Sequence, residues 1–420
     1  MLNRIKPKSE FSKNVLTLMT GTTIAQAIPI AISPILTRIY TPEDFGLLAL
    51  FMSIMIIFGS IVTGRYELAI MIPRKDEDAI NISALAFIIT TIISLFLVCI
   101  VFFFNDFFAA LLGNKKIEIW LYFVPLTVFL TGVFNILVYF NNRKKNYIDL
   151  AKANVLKSIV LAIIQLTFGY LKNGVFGLIT GQIISQFFAN TKLLKNIIKD
   201  KVLLSKISKI KIIALGKKYS NFPKYLVLAH GINSLSGQSH IILFSTFFNI
   251  SIVGFLSFAQ KLLGMPMSLI ARSIGDVFRQ EASIYYNKNK ECLTIYKSTF
   301  KKLFFISVFP FILLFIMAPS IFSFVFGKDW IIAGNYAQVL VPMYFLQFIT
   351  TPLSNMYLVA EKQKLDLYWQ IYLLFTVVLS ILVGYYIFND SYITIILFSL
   401  SYSVAYIINI CFSYNFAKGK

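Results

Sequence analysis

Long apolar blocks alternate with short polar turns from about residue 14 to residue 416. A helix that crosses a bilayer needs about 20 mostly apolar residues, or about 30 Å at 1.5 Å rise per residue. Windows of that size predict twelve spans. The first six cover 14–40, 45–72, 80–104, 117–141, 148–171 and 174–195. The second six cover 224–248, 251–279, 299–323, 333–359, 366–388 and 392–416. The largest hydrophilic stretch lies between the two sets, about 196–223. Its sequence KISKIKIIALGKKYSNF reads either as a short basic amphipathic helix on the inner leaflet or as a plain linker.

The two sets resemble each other. Pro34 to Phe51 (PILTRIYTPEDFGLLALF) and Ile242 to Ala259 (ILFSTFFNISIVGFLSFA) both run from an apolar helix through a short polar turn into the next helix. Gly46 and Leu48 align with Gly254 and Leu256 at an offset of 208 residues. Six spans per half makes the repeat parallel, with its axis along the membrane normal. The expected fold class is therefore all-α integral membrane: about twelve transmembrane helices in two six-helix bundles, a parallel pseudo-two-fold repeat, around a central cavity. The expected domains are an N-terminal bundle over 1–198, a basic amphipathic linker over 199–223 and a C-terminal bundle over 224–420.

Composition and charge then orient this plan. Hydrophobic residues make up 58% of the 420 and charged residues 14%, against about 25% charged in an ordinary soluble domain. The net charge is +21. In a soluble chain that excess would suggest nucleic acid; here it suggests loops held against anionic lipid. With the N-terminus placed inside, thirty of the 39 cations fall on cytoplasmic segments, ten of them between Lys192 and Lys224. The outer loops hold only Lys115, Lys116, Lys172 and Lys328. Both termini are expected to be cytoplasmic. The outer loops are short, which leaves no room for an extracytoplasmic domain. No cleavable signal peptide is expected, because the apolar stretch after the basic start is too long. Cys99, Cys292 and Cys411 form no CxxC or Cys/His cluster, so no disulfide framework or metal site is expected.

Five cations lie inside the spans, where a charge costs at least about 2.5–3.5 kcal/mol. Arg38, at the outer end of span 1, is expected to snorkel, as is Lys157, two turns from the inner end of span 5. Arg65 either snorkels or faces the cavity. Glu67 follows it by two residues, and helix neighbours two apart do not face each other, so no direct pair is expected. Lys261 lies about 15 Å into span 8, near the midplane. Arg272 would lie three turns further on nearly the same face of one continuous helix, with Asp276 four residues on to pair with it. A row of cations facing a cavity suits an anionic substrate; the structural alternative is a carboxylate partner for Lys261. Uncharged polar groups gather in span 1 (Gly21, Thr22, Thr23, Gln26) and span 7 (His230, Asn233, Ser234, Gln238, His240). They bridge helices or bind sugar hydroxyls, the candidate sugar contacts being Gln26, Asn233 and Gln238. Pro29 and Pro34 permit span 1 to bend. There is no GxSxG, GxxxxGK[ST], HExxH or paired-carboxylate cluster, so neither an enzyme nor a cofactor is expected.

Two segments carry a family resemblance: Leu36–Phe51 with Gly64–Ala79 (GRYELAIMIPRKDEDA), and Asn141–Asp149 (NNRKKNYID). The first looks like the amino-terminal signature of Wzx-type oligosaccharide flippases of the multidrug/oligosaccharidyl-lipid/polysaccharide (MOP) exporter superfamily. The second is similar to that family's basic loop after span 4. The resemblance implies a flippase that moves undecaprenyl-pyrophosphate-linked oligosaccharide, such as an O-antigen unit, from the inner to the outer leaflet of the bacterial cytoplasmic membrane. It implies ion-coupled alternating access without ATP. It implies as partners the lipid-linked glycan, membrane lipid, a polysaccharide polymerase and chain-length regulators, and no nucleic acid. It carries over Arg65 and Glu67 of GRYEL as functional residues, and its theme of cavity cations supports Arg65, Lys261 and Arg272 as substrate-binding cations. Apart from the resemblance, Glu67 and Asp276 are the candidate carboxylates for ion coupling. The competing readings are a lipid II flippase, a multidrug extruder, and a polysaccharide polymerase or ligase. A multidrug extruder would favour cavity carboxylates, and a polymerase or ligase a large outer loop.

Overall fold

The computed structural model describes residues 10–265 and 267–419, without the side chains of residues 10–16, 18, 19, 268, 269 and 272. The chain is 87% helix, and no strand occurs among the described residues. It divides into two compact units, Met1–Gln238 and Ser239–Lys420.

The first unit opens with α1 (Glu10–Ala31), α2 (Ser33–Ile39), α3 (Pro42–Gly59), α4 (Tyr66–Ala69) and α5 (Asp76–Leu111). It continues with α6 (Glu118–Leu121), α7 (Val124–Arg143), α8 (Tyr147–Tyr170) and α9 (Val175–Ile198). Two short helices follow, α10 (Lys201–Leu204) and α11 (Lys209–Lys218). A π-helical turn, Phe222–Val227, leads into α12 (Leu228–Phe247), which carries the chain into the second unit. There follow α13 (Ile250–Leu263), α14 (Arg272–Asn289), α15 (Leu293–Phe326), α16 (Ile331–Leu353), α17 (Met356–Val359), α18 (Gln363–Val383) and α19 (Ser391–Ala417). Each of the twelve predicted stretches is largely helical among the described residues. Seven described spans are long and apolar enough to cross a membrane by length and composition. The protein is a multi-pass membrane protein.

Local chemistry explains where these helices start and break. Pro34 cannot donate to the carbonyl of Ile30; the Ser33 hydroxyl donates to it instead, at 2.6 Å, and α1 gives way to α2 at Ile32. Thr41 and Asp44 form a capping box: Asp44 N donates to Thr41 Oγ1 at 3.2 Å, and Thr41 N donates to the Asp44 carboxylate at 2.9 Å. Pro42 then sets the first helical residue of α3. The offset of 208 residues places Asn249 opposite Thr41, and Asn249 caps α13 by accepting from Ser251 N at 2.9 Å. The two second spans thus begin at equivalent residues, Pro42 and Ile250, each with a side-chain cap.

Both second spans are also broken, where a single helix was expected for each. In the first unit α3 ends at Gly59 and α4 begins at Tyr66; in the second α13 ends at Leu263 and α14 begins at Arg272. The first break contains two consecutive left-handed residues, Gly64 and Arg65, both with φ of 60°. The second contains Gly264, Pro266 and a π-helical turn, Met267–Ala271. Left-handed residues and a proline both interrupt the i to i−4 bonding that a continuous helix requires.

Within the first unit α8 packs between α1 and α9, and α7 packs on α5 and α9. Small residues permit the close approaches: a Cβ at Gly132 would lie 2.6 Å from Thr90 Cγ2 and 2.8 Å from Val62 Cγ1. Polar side chains cross between helices, as where Ser158 donates to Ala25 O at 2.6 Å and Tyr40 OH to Gln165 O at 2.6 Å. In the second unit α16 is central and packs on α13, α15 and α19. Trp330 is buried against Phe255 and Phe258.

The basic stretch after α9 is a docked helix. Leu215 of α11 is buried. Lys211 Nζ lies 2.9 Å from Glu77 on α5, and that hydrogen bond holds the ammonium above its ordinary pKa. Asn81 binds the approach to α11, accepting from Ser208 N at 2.8 Å and donating to Lys206 O at 3.0 Å.

Candidate functional site

The α3–α4 break builds a buried charged cluster. Arg65 follows Gly64 in the left-handed region, a conformation that costs a non-glycine residue roughly 1–2 kcal/mol. The turn aims its guanidinium back along the chain. Nη1 lies 3.1 Å from Glu67 Oε1 and donates to Ser60 O at 3.2 Å. Nη2 lies 3.3 Å from His230 Nε2; a guanidinium only donates, so Nε2 accepts and the ring proton sits on Nδ1. Thr63 Oγ1 donates to the second Glu67 oxygen. Glu67 is 1% exposed, and Arg65 Nε is buried with no hydrogen-bond partner.

This arrangement corrects the expectation that Arg65 and Glu67 do not pair. That expectation assumed a continuous helix, in which residues two apart diverge by about 200°. Two left-handed residues remove the helix there and fold one side chain onto the other. Gly64 was the available sequence signal, because glycine is the residue that most readily ends a helix in the left-handed conformation. The partnership of Arg65 with His230, 165 residues away, had no local signal.

The two segments that carry the family resemblance meet beside this cluster. Arg143, from NNRKKNYID, donates Nη1 to Ile70 O at 3.1 Å and Nη2 to Arg74 O at 3.3 Å, and its Nε lies 2.8 Å from Asp76. Lys144 Nζ reaches the other Asp76 oxygen at 2.5 Å. One arginine thus ties the chain leaving α4 to the start of α5 and the end of α7. Beside it Asn141, Asn146, Asn196, Lys144, Asp200 and Phe140 line a polar pocket of about 180 Å³.

Lys157 was expected to snorkel and does not. Its ammonium binds Gln186 Oε1 on α9 and lies 5.3 Å from the centre of the Phe134 ring on α7. An amide oxygen and an aromatic face both stabilise a cation held inside a bundle. Arg38 is exposed, with Nη1 donating to Pro34 O at 2.6 Å.

In the second unit Lys261 lies eleven residues after Ile250, about 16 Å along α13. Its side chain is exposed, and among the described residues it has no ion-pair or hydrogen-bond partner. Arg272 opens α14, one residue from the position equivalent to Arg65; its side chain lies outside the described residues. Between Lys261 and Arg272 the chain is not one regular α-helix, because a π-helical turn, Met267–Ala271, leads into α14. Asp276, expected to pair with Arg272, is 79% exposed in its side chain and lies 4.0 Å from Arg279 Nη2. Of the candidate sugar contacts, Gln26 is half-buried on α1, Asn233 is exposed on α12 and Gln238 is half-buried on α12. His240 is buried, with Nε2 3.0 Å from Gln260 Oε1 and its ring against Phe398.

Residues 35–333 match the sequence model of the family described as polysaccharide biosynthesis protein. The chain belongs to that family. No curated protein matches it. Among solved structures it is similar to an inward-facing multidrug resistance MATE family transporter of the MOP superfamily, at a TM-score of 0.72 and 14% identity. That match covers 94% of this chain and 93% of the other. It is also similar to the lipid II flippase MurJ in an inward closed conformation, at 0.71 and 15%, covering 95% and 86%. A MOP superfamily transporter from Pyrococcus furiosus follows at 0.60 and 15%, covering 96% and 94%. The polysaccharide biosynthesis chain thus has the two-bundle fold of the MOP transporters.

Proposed function

We propose that this polysaccharide biosynthesis protein is a Wzx-type flippase. It moves an undecaprenyl-pyrophosphate-linked oligosaccharide from the inner to the outer leaflet of the bacterial cytoplasmic membrane by ion-coupled alternating access. The observation that carries the reading is Lys261. A cation in an apolar helix, with no carboxylate partner among the described residues, stays favourable only where water or an anion compensates it. A pyrophosphate supplies that anion. Arg65 is compensated by Glu67, so it binds substrate only if the pair opens. Glu67, buried and paired with Arg65, is the better-placed candidate for ion coupling; Asp276 lies in the open next to Arg279. Similarity in fold to a lipid II flippase agrees with a lipid-linked substrate. Deleting the gene and extracting the lipid-linked sugars tests this. Accumulation of a complete repeat unit supports a flippase, and accumulation of polymer or of incomplete units refutes it.

A further inference from the structure

We infer that α11 is a membrane-docking helix for anionic lipid headgroups, and that its docking braces the α3–α4 break. One face of α11 is already occupied: Leu215 is buried, and Lys211 is bound to Glu77. The opposite face carries Ile210 and Ile213, 81% and 50% exposed, with Lys209 and Lys217 on the same row and all exposed. Two large aliphatic side chains flanked by lysines, on a helix too short to span, match the chemistry of an anionic bilayer surface. Position favours lipid over an acidic soluble partner. The helix lies along the beginning of a membrane-spanning helix, from Lys211 beside Glu77 to Gly216 beside Leu85 of α5. A bilayer surface is what an element at that level meets.

The brace is a single hydrogen bond. Tyr66 OH donates to Gly216 O at 2.9 Å, and Tyr66 stands between Arg65 and Glu67. A docked α11 therefore holds the residue on which the charged pair is built. The inference is independent of the transported substrate.

The test uses the full chain reconstituted in vesicles of phosphatidylcholine alone or with phosphatidylglycerol. An environment-sensitive dye is placed on an Ile213→Cys variant whose Cys99, Cys292 and Cys411 are replaced by serine. With phosphatidylglycerol the dye should report an apolar setting shielded from aqueous iodide. Replacing Lys209, Lys217 and Lys218 by glutamine should reverse this, each lysine shifting the docking equilibrium about fivefold. Amide exchange over residues 60–69 should slow with phosphatidylglycerol in the wild type and not in Tyr66→Phe. Equal iodide access in both vesicle types overturns the docking, and would leave the face to an acidic protein. Equal exchange over 60–69 in both overturns the brace. The wild-type comparison stands even if a variant fails to incorporate.

Discussion

Glu67→Gln isolates the charge of the buried pair, because it keeps the side chain's size and an acceptor for Thr63. At 3.1 Å the Arg65–Glu67 attraction is about 5 kcal/mol at an effective dielectric of about 20. Much of that offsets desolvation, so the net effect is better taken from the cost of stranding one buried partner, about 3–5 kcal/mol. Arg65 keeps Ser60 O and His230, and its side chain is 14% exposed, which points to the lower end, about 3 kcal/mol. For a unit of this size that lowers Tm by about 6–12 °C. A thermal scan of detergent-purified protein measures it. Arg65→Met should cost a similar amount by stranding Glu67, and the double variant should recover most of the loss because no lone charge remains. Losses that simply add in the double variant would refute a coupled pair at the break.

Three further outcomes are expected. Lys261→Ala should abolish surface-polysaccharide display at normal membrane levels, while Lys261→Arg retains part of it; normal display in Lys261→Ala, read by immunoblot, removes the cationic-site argument. Arg143→Ala should cost more stability than Lys144→Ala, about 3 kcal/mol read as a lower Tm, since it strips a donor from two backbone carbonyls and removes one of the two cations on Asp76. Single cysteines at Asn287 and Asn114 should react with impermeant reagent from opposite sides of the membrane, the former from inside; reaction from one side would overturn the orientation derived from the lysines.

The architecture was legible because its determinants are local. Apolar block length and the prolines of span 1 are read without knowing any neighbour; the Thr41–Asp44 capping box is local too but was found only in the structure. The charged cluster was legible only as a composition. That Arg65 and Glu67 sit in a span was evident; that they touch depends on two left-handed residues, whose conformation the surrounding bundle selects. Lys157 shows the same limit. The direction of its side chain is set by Gln186 and Phe134 on other helices. His230 and Arg143 act across 165 and about 70 residues of chain, distances at which spacing carries no information.

The shared break sets the two halves apart as much as it relates them. In the first, the arginine at the end of the break is followed two residues later by Glu67; in the second, Ile274 holds the place two after Arg272. If both halves descend from one ancestral segment, one copy has kept or gained an internal counter-ion and the other has none at that place. The two breaks thus differ in sequence at the place where the first carries a carboxylate. A duplication of this kind keeps one interruption in two copies while letting the charge pattern around it drift apart.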